Sequence, residues 1–280
     1  MLQKIVLVFV VLIVSSTFLQ AQSSKAFYEG MTRGLDYAKK EPTPLPYVNP
    51  DDILWSKTLW RELVLREKMN LPYYYPTTPV DGRMSLIDVL LNGIEKSFKT
   101  AYEEDELKTP ITIEEIKDKF GARSDTLTRL NNETGEREAI VVAGEVHTDE
   151  VKRFLIKEFW FFNKREARLE SRIVAICPVR EYVQDDGSNT IVKRQLFWID
   201  YGEFRDLFTQ QRVFINSNDG PQTSYDDLFL MRYFSSRIYK ETSVYDNRPI
   251  STYAVGIDAI LESDRIKNDI FTQEQDLWEY

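Results

Sequence analysis

The chain of 280 residues carries a single cysteine, Cys177, and a single histidine, His147. One cysteine excludes an internal disulfide, so stability must come from a core of adequate size. One histidine leaves a zinc site or a catalytic triad dependent on suitably placed companions. The sequence has no G-x-S-x-G, H-E-x-x-H or C-x-x-C pattern, and Gly30 and Gly34 are too isolated to form a phosphate loop. Basic charge is in deficit, with a formal net charge of −9. That sign argues against nucleic acid, whose phosphates need a basic footprint, and against anionic lipid surfaces. A basic protein partner is compatible with it. Beyond the N-terminus, no stretch reaches the ~18 apolar residues that mark a spanning helix.

The N-terminus is where apolar residues run together. Residues 1–4 include Lys4, residues 5–14 read IVLVFVVLIV, and Ser15, Ser16 and Thr17 lead to Ala21 and Gln22. A basic start, an apolar run and a small-residue exit predict a signal peptide over 1–21, cleaved between Ala21 and Gln22. The run is about half of a membrane span; a retained N-terminal anchor is the alternative. No cysteine stands near the cleavage point, which excludes lipidation there. The expectation is an exported chain with no direct membrane insertion after cleavage.

Residues 22–50 read as an arm followed by a proline-rich linker, Glu41-Pro42-Thr43-Pro44-Leu45-Pro46, because closely spaced prolines exclude helix and ladder pairing. Such an arm either reaches a neighbouring molecule or frays. Residues 51–280 then form one domain. Over 51–123 the pattern is mainly helical. Asn49, Pro50, Asp51 and Asp52 suit a helix start, and Trp55, Leu59, Trp60, Leu63 and Val64 fall at helical spacing. Ser85 with Asp88, and Thr112 with Glu115, resemble capping boxes opening two further helices, the second stopped by Gly121. Over 124–201 the pattern is strand-like: a hairpin around residues 131–135, then runs at 151–162, 168–177 and 190–201 joined by short turns. Short links join antiparallel neighbours. Over 202–280 helices return, at 202–210, from the Ser224/Asp227 cap through Leu228, Met231, Phe234 and Ile238, and at 256–271. The fold class predicted is α+β: an antiparallel β-meander of about five strands with N-terminal and C-terminal helices packed around it.

Chemistry-bearing residues have plain explanations. His147 lies in a polar stretch, as an exposed loop residue or else a base or ligand. Cys177, in Arg172-Ile173-Val174-Ala175-Ile176-Cys177-Pro178, reads as a buried inert thiol, with an intermolecular disulfide or reactive thiol as the alternative. Asp51-Asp52, Glu103-Glu104-Asp105-Glu106, Asp185-Asp186 and Asp226-Asp227 could serve a glycosidase dyad or a calcium ion. The first and last pairs suit helix first turns, Asp185-Asp186 precedes a turn glycine, and residues 103–106 resemble a solvated run. No residue is therefore assigned a catalytic, cofactor-binding or metal-ligating role.

Aromatic content is high, 13% with 15 Tyr and 16 Phe. Trp160, Phe161 and Phe162 are consecutive on one predicted strand, and Phe197 and Trp198 on another. Successive strand residues point to opposite faces, so consecutive aromatics load both. They belong either to a sheet covered on both sides or to an interface exposed in the monomer.

The same segments carry a resemblance. Ile156-Lys157-Glu158-Phe159-Trp160-Phe161-Phe162-Asn163-Lys164 is similar to the signature of the GldN/PorN family, and residues 172–178 continue it. Leu196-Phe197-Trp198-Ile199-Asp200-Tyr201, Asp226-Asp227-Leu228-Phe229, Ser235-Ser236-Arg237-Ile238-Tyr239-Lys240-Glu241 and the closing Asp276-Leu277-Trp278-Glu279-Tyr280 match in the same order, so that the likeness runs from about Ile53 to the end of the sequence. The resemblance implies a non-catalytic periplasmic subunit of the type IX protein secretion and gliding motility machinery of Bacteroidetes. It implies a ring built with an outer-membrane lipoprotein, GldK/PorK, with homo-oligomeric neighbours and contact to the periplasmic region of the inner-membrane motor subunit GldM/PorM. The protein would then sit in the periplasm, peripheral to the outer membrane through a partner, without cofactor. An exported acid-dependent hydrolase and a sugar-binding module using exposed aromatics remain the alternatives read from the residues.

Overall fold

The computed structural model describes residues 40–278 apart from 81, 123–124, 131–136, 143, 145, 185–189 and 216–222, with backbone alone for 125–130 and 137–142. The Ala21–Gln22 cleavage point, the arm before residue 40, the 131–135 turn and Asp185-Asp186 lie outside those residues. In chain order the elements are β1 (Ile53–Val64), α1 (Leu71–Tyr74), α2 (Leu86–Lys96), β2 (Ala101–Tyr102), β3 (Pro110–Ile111) and α3 (Ile113–Lys119). Next come β4 (Asp125–Leu130), β5 (Arg137–Val142), β6 (Val151–Asn163), β7 (Arg168–Val183), β8 (Ile191–Gln195), β9 (Trp198–Asp200) and α4 (Tyr201–Gln210). The chain continues through β10 (Arg212–Val213), β11 (Thr223–Ser224), α5 (Tyr225–Leu230), β12 (Arg237–Glu241) and α6 (Ile257–Trp278).

The α+β class holds. The main sheet has eight strands rather than about five, in the order β12-β1-β6-β7-β9-β2-β3 with β8 also on β7, and its named pairs are antiparallel. The meander from β6 through β7 to β8 and β9 is its middle. The predicted hairpin β4–β5 forms a separate two-stranded sheet rather than the start of the meander.

The helix expected from residue 51 is the chief correction. Asn49 does cap, accepting from the Asp51 amide at 3.3 Å, but it caps one 3-10 turn, Pro50–Asp52. The chain then enters β1, which pairs with β6 from Ile53↔Asn163 to Val64↔Arg153 and with β12 on its other side. Long-range pairing on both edges outweighs a weak local preference. The helical spacing arose because both faces of β1 are covered: Leu59 and Leu63 fill one side and Trp60 the other, so the apolar residues do not alternate. Two smaller corrections concern later segments. The 190–201 run divides into β8 and β9 at the buried Leu196 and Phe197, and the helix capped by Ser224 stops at Leu230, leaving Ile238 on β12.

The capping boxes are real. Ser85 accepts from the Asp88 amide, and the Thr112/Glu115 and Ser224/Asp227 boxes are reciprocal. Gly121 ends α3 at φ +75°, the left-handed conformation glycine adopts at least cost.

Two faces of the sheet carry the core. On the first, Leu63, Phe154, Ile156, Ile176 and Ile199 meet Leu86 and Leu90 of α2, Ile116 of α3, Phe204 and Phe208 of α4, and Leu228 and Phe229 of α5. The outer part of the same face, Leu59 and Ile238, packs on Ile266 and Ile270 of α6. The second face holds Trp60, Leu155, Ala175, Cys177, Val179 and Trp198 beneath Tyr102, Leu107 and Tyr239.

Candidate functional site

The aromatic block on β6 lies within this packing. Its cross-strand partners put Glu158, Trp160 and Phe162 on the first face and Phe159 and Phe161 on the second. Trp160 packs with the Leu59–Ile266 group. Phe161, 2% exposed, stacks with Phe159 at 5.7 Å under the Arg172 guanidinium. Phe197 and Trp198, both buried, enter opposite cores. Phe161, Phe162, Phe197 and Trp198 are thus buried and Trp160 is half-buried, so the five do not form one exposed patch.

Between the inner and outer parts of the first face sits Glu158, fully buried. Its Oε2 accepts from Arg61 Nε at 2.9 Å and Trp160 Nε1 at 2.8 Å, and Arg232 Nη2 reaches both carboxylate oxygens at 2.8 and 3.0 Å. Arg232 also donates to Ser171 Oγ at 2.6 Å. These donors occupy the lone-pair capacity of the carboxylate. Burial lowers the pKa of Arg61, the Glu158 charge opposes that shift, and the nearby Arg232 reinforces it. Arg232 holds a left-handed backbone, φ +53°, uncommon for a residue with a side chain. Such local cost persists where surrounding contacts over-determine it, here the grip on Glu158. From sequence alone Glu158 receives no role; the signal that points to this cluster is that Glu158 is the one acid of β6, since buried charge needs partners.

Asp105 organises the second face. Its carboxylate accepts from Trp60 Nε1 at 2.7 Å and lies 3.6 Å from Lys157 Nζ, whose ammonium also donates to the Asp105 carbonyl at 2.8 Å. Lys157 and Lys240 both stand over the Trp60 ring. The acidic run at 103–106 therefore supplies a pin in addition to solvated charge. The remaining acidic pairs divide their work. Asp226 is buried, chelated by Arg205 at 3.0 and 2.9 Å, and accepts from the Tyr201 hydroxyl at 2.7 Å. Asp227 closes its capping box, and Asp52 pairs with Arg165 at 3.3 Å. Arg205 also donates to the Thr43 carbonyl, and Arg172 to that of Pro46, so residues 43–46 of the linker lie against the domain.

His147 is exposed before the 3-10 turn Thr148–Glu150. Cys177 is buried, and burial pushes its thiol up to about 12. Among the described residues no group of three or more His, Cys, Asp or Glu side chains could hold a metal ion, and no helix is long and apolar enough to cross a membrane.

One open concavity was not legible in the sequence. A cleft of about 850 Å³ runs between α1 and the β10–β11 ribbon, with Met69, Tyr75, Met84, Phe214 and Tyr233 along it. Among the described residues its charged lining is basic: Lys68, Arg83 and Arg212. That sign is opposite to the chain's net charge of −9. Size and apolar character suit a binding pocket.

Fold and site together define an α+β domain in which the buried carboxylates Glu158 and Asp226 are taken up by neighbouring side chains, with an apolar cleft on its surface. The family model for gliding motility associated protein GldN matches residues 48–279, and the chain belongs to that family. This makes it a gliding motility associated protein. No curated protein matches the chain.

Proposed function

We propose that the protein is a non-catalytic, periplasmic structural subunit of the type IX secretion and gliding machinery. It assembles there with an outer-membrane lipoprotein of the GldK/PorK type into a ring and faces GldM/PorM. The observation that carries this reading is the family match over residues 48–279, nearly all of the compact unit from Glu41 onward. The leader-like residues 1–21, without a nearby cysteine, support export without a lipid anchor. The capture of Glu158, Asp105 and Asp226 by partner side chains supports a mechanical rather than a chemical role.

Deletion of the gene should stop gliding and cargo secretion, and the wild-type chain should restore both. His147→Ala should restore them equally. Pull-down from solubilised membranes should recover the lipoprotein, and intact mass should place the mature N-terminus at Gln22. Failure to recover the lipoprotein, or loss of secretion with a folded His147→Ala protein, would refute the subunit reading.

A further inference from the structure

The helix α6 is held to the domain by a narrow stripe, with Ser263, Ile266 and Ile270 buried. A second apolar stripe faces solvent: Ile257, Ile260, Leu261, Phe271 and Trp278 are exposed, Trp278 by 62%. At 3.6 residues per turn these five positions fall within an arc of about 100°, separate from the buried stripe. With 22 residues, the helix is about 33 Å long. Its charge is strongly negative. Arg265 is consumed by Glu262 and Asp269, while Asp264, Glu274 and Asp276 have no ion pair among the described residues.

The cleft between α1 and the β10–β11 ribbon is the complement of this stripe. It is apolar, large enough for aromatic side chains, and rimmed by Lys68, Arg83 and Arg212. None of the three has an ion pair among the described residues, and Arg83 rests instead over the Phe214 ring at 5.6 Å. Within one chain the two surfaces belong to different parts of the core, α6 packing on Leu59 and Ile238 and the cleft on the side of Tyr225 and Val213.

We infer that the acidic apolar stripe of α6 docks into the basic apolar cleft of a second copy of this chain. Lys267 lies at the edge of the stripe, but the acids of α6 outnumber Arg265 and Lys267, so pairing two α6 stripes sets like net charge together and the contact is heterologous. Each copy then offers one free cleft and one free helix, and the assembly extends head to tail into a ring or a filament. The inference rests on the reading of this protein as an assembly subunit and is independent of its other partners.

The test uses two variants of the purified full chain: Phe271→Ser/Trp278→Ser on the helix and Arg83→Glu/Arg212→Glu on the cleft. All four positions are at least partly exposed, and thermal melts check that each variant folds. In sedimentation velocity, wild type should form oligomers that grow with concentration and weaken at high salt. Each variant alone should be monomeric, with apparent affinity reduced at least tenfold. An equimolar mixture retains one intact helix and one intact cleft per pair, so it should give dimers and nothing larger. A monomeric wild type, variants that oligomerise like wild type, or a mixture that stays monomeric would each overturn the inference. Lipoprotein pull-down by the same variants separates the two proposals. Retained capture with lost self-association supports the head-to-tail contact, whereas lost capture by folded variants assigns the cleft or the stripe to the lipoprotein.

Discussion

Glu158 ties together segments far apart in the chain. Its carboxylate joins β1 through Arg61 and the segment after α5 through Arg232. Removing one partner of such a buried cluster leaves the others charged and unsatisfied, which costs about 3–5 kcal/mol. Glu158→Ala should therefore lower stability by that amount in urea unfolding, a large part of a typical total of about 5–15 kcal/mol. A loss below about 1 kcal/mol would mean that water replaces the carboxylate. Cys177 gives a second test at this scale. Its thiol is raised from 9.0 to about 12 by burial. A folded value above the unfolded one means that the stability contribution is complete below pH 9 and is lost as pH rises toward 12. The buried phenol of Tyr73, also raised by burial, adds to the loss above about pH 10. The urea midpoint should stay level between pH 7 and pH 9 with respect to these groups and fall beyond it. Cys177→Ala should remove the portion between pH 9 and pH 10, and an unchanged decline there would exclude the thiol as its source.

Among the elements, β1 shows how a local pattern can mislead. Trp55, Leu59, Leu63 and Val64 satisfy a helical spacing, yet the segment pairs along its length with β6. Sequence spacing records which residues are apolar but not that a sheet will be covered on both faces. The shorter elements were more legible because their signals are local: the boxes at Thr112/Glu115 and Ser224/Asp227 satisfy amides three residues away. The contact of α2 with α4 supplies a third prediction. A Cβ on Gly93 would lie 2.8 Å from Cε1 of Phe204 and 2.7 Å from Cδ1 of Leu207. Leu207 can turn aside, but Phe204 is fully buried. Overpacking of this kind costs about 1–3 kcal/mol, so Gly93→Ala should be destabilising despite alanine's better helix propensity. Equal or higher thermal stability of the variant would show that the two helices can part at no cost.

Over the whole molecule, stability is distributed unevenly. The central sheet is buried beneath α2 to α5 on its first face, whereas α6 adheres through Ile266, Ile270 and few other buried positions. Regions with few buried contacts open locally at lower free energy than the global unfolding. In hydrogen exchange, α6 amides should therefore exchange before those of β6 and β7, and equal protection would indicate one cooperative unit. In a head-to-tail assembly the same amides should gain protection as protein concentration rises.

The sequence by itself determined the family, the α+β class, the three capped helices and the interior place of Cys177, because each depends on motif order or on groups close along the chain. The aromatics at 160–162 and 197–198 were identified, and the two-sided disposition of those at 160–162 follows from the strand period. Only the tertiary structure decided that residues 53–64 form a strand and that Glu158 meets Arg61 and Arg232. It alone brought Lys68, Arg83 and Arg212 around one apolar cleft. Those facts depend on pairings between residues far apart in the chain, and such pairings are set by which surfaces the whole fold can bury together.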